Sequence, residues 1–137
     1  LTKNRMEIKN KNNITIINDT YNANYDSMKA AIDFLGSRKE RKIAVLGDML
    51  ELGEFSEKLH RDVGKVIVKN DIDILIGENA KYISDEANKL GMNELNIINC
   101  NNNLEAINKI KNIMKKNDVI LIKASNGMKF KEIVEAL

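Results

Sequence analysis

Asp19, Tyr21, Asn22 and Asn24 fall together in the stretch Asn18-Asp19-Thr20-Tyr21-Asn22-Ala23-Asn24. A carboxylate there can accept hydrogen bonds from both hydroxyls of a ribose, a tyrosine offers a stacking face, and side-chain amides both donate and accept. The same residue types make turns and helix caps, so residue type alone leaves both readings open. A second group lies in Gly47-Asp48-Met49-Leu50-Glu51-Leu52-Gly53, where Asp48 and Glu51 could bind an amine or a metal, or form a solvated turn. A third is Lys123 with Ser125 and Gly127. Backbone N–H groups and a cationic side chain there could hold an anion, or the lysine could simply snorkel from a strand end. His60 is the single histidine and has no cysteine beside it, which does not support a zinc site. Arg5 precedes the first strand-like run and has a weak claim by itself.

These residues need elements to hold them. Arg5 to Lys9 and Ile14 to Asp19 read as a hairpin turning through Asn10 to Asn13, since asparagine tolerates positive φ. Asp26 or Ser27 is expected to cap a helix with Met28, Ala31, Ile32 and Leu35 on one face, stopped by Gly36. Lys42 to Leu46, Ile72 to Ile76, Leu95 to Asn99 and Asp118 to Lys123 read as further strands. Between them lie helical faces at Leu59, Val63, Val66 and Ile67, opened by Ser56 as cap, then at Ala80, Ile83, Ala87 and Leu90, ending at Gly91. Two more follow, at Leu104, Ile107, Ile110 and Met114 and at Phe130, Ile133, Val134 and Leu137. Gly64 inside a helix costs about 1 kcal/mol against alanine, so close packing is expected there.

Strands that are short continuous apolar runs, alternating with helices, predict a doubly wound α/β domain. Its sheet is mostly parallel, with right-handed crossovers and one possible antiparallel N-terminal strand. The loops after the strands then share one edge, where such sheets bind ligands. There is no Walker loop, G-x-x-x-x-G-K-[ST], and no G-x-G-x-x-G after the first strand. A phosphoacceptor receiver domain needs an aspartate where this chain reads Ile76-Gly77-Glu78.

The chain has 137 residues, the size of one domain. Its net charge of +2 gives no case for nucleic acid or a membrane surface. No apolar run approaches the roughly 20 residues of a membrane-spanning helix. A single cysteine, Cys100, excludes an internal disulfide. Residue 1 is leucine, consistent with a piece of a longer protein.

Asp19-Thr20-Tyr21-Asn22-Ala23-Asn24, continued by Asp26-Ser27-Met28-Lys29-Ala30-Ala31, resembles the D-T-Y-N-A-N-P-x-S-M-x-A-A signature of a Mur ligase. Ala44 to Gly53 with His60 and Gly64 resembles a second signature. Lys123 to Met128 is similar to a third, K-G-S-R-x-M, and Arg5-Met6-Glu7 to the G-R-M-E entry. The first two are those of the member that adds D-alanyl-D-alanine to UDP-N-acetylmuramoyl-tripeptide. The sequence departs from the pattern at Tyr25 for proline, Ala124 for glycine and Asn126 for arginine.

The resemblance implies that residues 1–137 are the single C-terminal domain of a three-domain, ATP-dependent, ADP-forming ligase of peptidoglycan synthesis. The N-terminal and the central, Walker-loop domains would lie outside this chain, magnesium would bind in the central one, and the isolated domain would be inactive. The protein is expected to be cytoplasmic and monomeric. The resemblance gives Arg5, Asp19, Tyr21, Asn22 and Asn24 to the nucleotide side. It gives Asp48, Met49, Glu51, His60, Lys123 and Ser125 to the acceptor dipeptide. Two alternatives stay open: a Mur-type amide ligase with a different acceptor, and a free-standing α/β binding module without ligase activity.

Overall fold

Asn12 and Asn13 both adopt positive φ, 54° and 64°, which a two-residue hairpin turn needs to match the twist of its strands. They join β1 (Glu7–Lys11) to β2 (Ile14–Asp19), antiparallel with Lys11 opposite Ile14. The turn is thus tighter than the sequence reading, and Arg5 lies outside the strand. The structure is a computed structural model that describes residues 3–78 and 81–137. Four more strands follow: β3 (Lys42–Leu46), β4 (Ile74–Glu78), β5 (Ile97–Cys100) and β6 (Val119–Lys123). The order across the sheet is β1-β2-β6-β3-β4-β5, with every pair but β1–β2 parallel. The expected doubly wound architecture with one antiparallel N-terminal strand is therefore the one observed.

The helices are α1 (Tyr25–Gly36), α2 (Ser56–Lys69), α3 (Lys81–Lys89), α4 (Asn103–Ile113) and α5 (Lys131–Ala136). Met28, Ile32 and Leu35 of α1, Val63 and Ile67 of α2 and Ile83 of α3 bury against one sheet face, with Ile17, Leu46 and Leu121. Ala106 and Ile110 of α4 and Ile133 and Val134 of α5 bury against the other, with Ile16, Val45 and Ile122. Alternate residues of each strand point to opposite faces, so both faces must be apolar, which explains the uninterrupted apolar runs. Among the described residues no helix is long and apolar enough to cross a membrane.

Several boundaries differ from the periodicity, each for a local reason. Asn24, not Asp26 or Ser27, caps α1: its side chain accepts the Ser27 N–H at 2.8 Å while Ser27 Oγ accepts the Asn24 N–H. That reciprocal box makes Tyr25 the first helical residue, a position that also suits proline. Gly36 is the last residue of α1, and a Cβ there would strike the Asn70 side chain at 2.2 Å. Ser56 does not cap α2, because a 3₁₀ turn at Gly53–Phe55 runs straight into the helix. β4 starts at Ile74 because the Asp73 N–H and carboxylate are bonded to the backbone of Lys42. Asn93 accepts the Leu95 N–H and holds a 3₁₀ turn at Glu94–Asn96, so Leu95 is 84% exposed and β5 begins at Ile97. Leu104 and Leu90 are exposed rather than part of the buried faces. Gly91 ends α3's turn at φ 112° as read. Ala80 lies outside the described residues.

Gly64 is where α2 meets α3. A Cβ there would sit 2.6 Å from the Ile83 carbonyl oxygen and 2.8 Å from Glu86 Cβ. Arg61 stacks over the Tyr82 ring and bonds Glu86 across the same seam. Gly64→Ala is expected to destabilise the fold by up to about 2 kcal/mol. Overpacking of about 1–3 kcal/mol outweighs the roughly 1 kcal/mol gain in helix propensity. Urea denaturation checks this, and a more stable variant would contradict the contact.

Candidate functional site

β2 and β3 pass the chain to helices on one face of the sheet, while β6 between them passes it to α5 on the other. Connections that part in this way leave a crevice at the carboxyl ends of the strands. Asp19 and Lys123 are register partners there, and Leu46 pairs Lys123 from the other side. The three polar loops of the sequence therefore meet at one edge.

Lys123 is only 1% exposed. Its Nζ donates to Asp19 Oδ2 at 2.6 Å and to the Asn22 carbonyl at 2.9 Å. Burial lowers the Lys123 pKa, an effect the Asp19 carboxylate opposes. Asp19 Oδ1 accepts the Met6 N–H at 3.0 Å. The entry segment is stitched down further. The Tyr21 N–H donates to the Asn4 carbonyl, Asn18 Nδ2 donates to Asn4 Oδ1, and the Asn4 N–H donates to Glu7. Asn4 and Met6 both take left-handed φ, 63° and 47°. That bend sets the exposed Arg5 guanidinium 4.7 Å from the centre of the Tyr21 ring, a cation–π contact. Arg5, Asp19, Asn22, Asn24 and Lys123 line one cavity of about 500 Å³. Tyr21 stands beside it under Arg5.

The second group forms its own cavity of about 330 Å³, lined by Asp48, Met49, Glu51 and His60 among others. His60 is buried and spent on the loop: Nε2 accepts the Met49 N–H at 2.9 Å, and Nδ1 faces the Ser56 carbonyl at 2.7 Å. Those partners fix the neutral tautomer protonated at Nδ1. Asp48 Oδ1 lies 4.0 Å from Nε2, and burial pushes the Asp48 carboxyl above its ordinary value. Glu51 takes left-handed φ, 64°. Ser125 clamps the loop from the far side. Its Oγ accepts the Leu50 N–H at 2.9 Å and its N–H donates to the Asp48 carbonyl at 3.1 Å. Ala124 is fully buried where the family pattern has glycine, and a Cβ at Gly47 would meet its Cβ at 2.7 Å. Gly47 therefore leaves the space that Ala124 fills.

The geometry thus brings Asp48, Met49, Glu51 and His60 together, with Ser125 as their support, and puts Lys123 with the Asp19 group. Sequence reasoning missed Lys81 and Tyr82, which line the Asp48 cavity. It also missed Glu78 as a group of interest, although its position at a strand end was the available signal. Glu78 is 5% exposed, and its Oε2 has no hydrogen-bond partner among the described residues. Burial, reinforced by Asp48, Glu132 and Glu105, pushes its carboxyl up to about 7.

Known proteins resemble this chain in sequence and in fold. A UDP-N-acetylmuramoyl-tripeptide–D-alanyl-D-alanine ligase of Bacillus subtilis (strain 168) is 39% identical over 134 residues, which cover 95% of this chain and 29% of that protein. One of the same description from Buchnera aphidicola subsp. Baizongia pistaciae is 42% identical over 140 residues, covering 100% of this chain and 29% of its own. The crystal structure of MurF ligase from Thermotoga maritima in complex with ADP superposes with a TM-score of 0.83 at 25% identity, covering 99% of this chain and 30% of that one. MurF from Acinetobacter baumannii gives a TM-score of 0.83 at 26% identity, over 98% and 30%. The chain therefore spans about three tenths of the length of these relatives. The family model described as "Mur ligase, glutamate ligase domain" matches residues 4–126, and by that match the chain belongs to the Mur ligase family.

Proposed function

We propose that this chain is the C-terminal, closing domain of an ATP-dependent ligase that joins D-alanyl-D-alanine to UDP-N-acetylmuramoyl-tripeptide in the cytoplasm, working as a monomer. One observation supports the reading most: a buried acid, a buried lysine and an exposed arginine converge on one cavity at the sheet's crevice. In the reaction, ATP transfers its γ-phosphoryl group to the tripeptide carboxylate, releasing ADP. The dipeptide amine then attacks the acyl phosphate, and phosphate leaves as the amide forms.

Each residue has a part in this reading. Asp19 accepts the ribose hydroxyls, beside the amides of Asn22 and Asn24. Arg5, lifted into solvent on the Tyr21 ring, meets the transferring phosphoryl group when the domain closes, where a cation stabilises developing charge. Asp48, Met49 and Glu51, held by His60 and Ser125, face the dipeptide. Asp48 is suited to its ammonium group. Closure over the cleft keeps water from the acyl phosphate. The described residues contain no group of three or more His, Cys, Asp or Glu suited to a metal ion. The reading gives the magnesium that accompanies ATP to parts of the ligase outside this chain, as the resemblance implies.

In the intact ligase, Asp19→Ala is expected to raise the KM for ATP by about tenfold or more, the scale of a lost charged hydrogen bond. An unchanged KM for ATP in steady-state kinetics would remove Asp19 from the nucleotide site.

A further inference from the structure

We propose that Lys123 is a positioning residue for the nucleotide's ribose, acting through Asp19, and makes no contact with the acceptor dipeptide. The inference rests on the nucleotide reading of the Asp19 cavity and deepens it.

Lys123 terminates β6 directly beside Asp19 at the end of β2. Two of its three ammonium protons are engaged inside the fold, by Asp19 Oδ2 and by the Asn22 carbonyl. It lines the Asp19 cavity and is absent from the lining of the Asp48 cavity. With almost no exposed surface, it could reach a ligand above the Asp48 loop only by leaving both partners.

Acceptor capacity shows what this arrangement achieves. An ionised carboxylate offers about four lone-pair sites. Met6 and Lys123 fill one on each Asp19 oxygen. Among the described residues nothing fills the remaining lone pairs, which would take the two hydroxyls of a vicinal diol. Lys123, bonded to Oδ2 opposite the Met6 N–H on Oδ1, fixes the rotation of the Asp19 carboxylate and so the direction of its remaining acceptor sites. Through the Asn22 carbonyl it also anchors the loop that carries the flanking amides. Lys123 is engaged with Asp19, and among the described residues Arg5 is the other cation lining this cavity and is in none of the ion pairs, which suits it to a phosphate.

The test uses the intact ligase with Lys123→Met, Asp19→Asn and the double replacement. Lys123→Met is expected to raise the KM for ATP by about tenfold, the scale of a charged hydrogen bond. The kcat at saturating ATP and the KM for D-alanyl-D-alanine should stay within about twofold. A raised KM for the dipeptide with an unchanged KM for ATP overturns the proposal. Where Lys123→Met does not fold, the uncharged double replacement is compared with Asp19→Asn alone. Equal KM values for ATP and for the dipeptide support the proposal, and a further rise for the dipeptide overturns it. Asp19→Asn alone separates the two levels. If it leaves the KM for ATP unchanged, the nucleotide reading itself fails. If it raises that KM while Lys123→Met does not, only the role of Lys123 fails.

Discussion

Arg5→Ala in the intact ligase should lower kcat by about 10²–10³-fold, the usual cost of removing one preorganised group that stabilises transition-state charge. The expectation rests on how the fold presents this side chain. Residues on both sides of Arg5 are left-handed and hydrogen-bonded to the end of β2, so the backbone cannot swing freely. The guanidinium rests on Tyr21 in solvent and has no carboxylate partner among the described ion pairs. Its contact is with an exposed ring, so its removal should cost no more than about 1 kcal/mol of stability, the scale of an exposed cation–π contact. Rapid-quench measurement of ADP formation would place the loss in phosphoryl transfer. A kcat within twofold of the parent enzyme would show that Arg5 does not reach the phosphates. Arg5→Lys should recover part of the rate, since a point charge replaces the planar fork incompletely.

The second large effect concerns stability and runs against the usual direction for a buried side chain. Glu78→Gln should stabilise the fold by about 3 kcal/mol above pH 7, at about 1.4 kcal/mol per pH unit. The Glu78 carboxyl rises from an ordinary 4.5 to about 7 on folding. The folded state therefore holds a proton that the unfolded chain has released. Stability from this group is complete below pH 4.5, falls as pH climbs from 4.5 to 7, and stays low above that. Glutamine keeps the volume and removes the charge that Asp48, Glu105 and Glu132 repel. Urea unfolding of both proteins at pH 4 and pH 8 checks this. Curves that differ equally at the two pH values would refute a titrating Glu78.

How far the sequence reached can be read from individual residues. The α/β architecture was legible because every inner strand is covered on both faces, so apolar runs such as Val119 to Ile122 stand out. The Asp19 and Asp48 loops were legible because polar residues at strand exits have no packing role. What could not be read was set by distant partners. The pairing of Lys123 with Asp19 depends on β6 inserting between β2 and β3, a fact of sheet order that no local pattern carries. Helix periodicity placed Leu104 inside with Ile110; α4 buries Ile110 as read but turns Ala106 inward and leaves Leu104 exposed. His60 was assigned to the dipeptide by resemblance alone, and its residue type could not show that both ring nitrogens meet backbone groups of the same loop and helix.

The three residues 123–125 have a further consequence. Lys123 is anchored in one cavity, and two residues later Ser125 holds the backbone of the other. A segment this short, with Ala124 packed tightly between, cannot move at one end alone. The two cavities have separate linings but are tied through this one short segment, so a ligand that shifts Lys123 is expected to change the free energy of the Asp48 loop as well. Thermodynamic linkage makes such a change mutual: whatever factor one ligand adds to the affinity of the other, it receives in return. Two ligands held at these two cavities would therefore report on one another's presence at equilibrium.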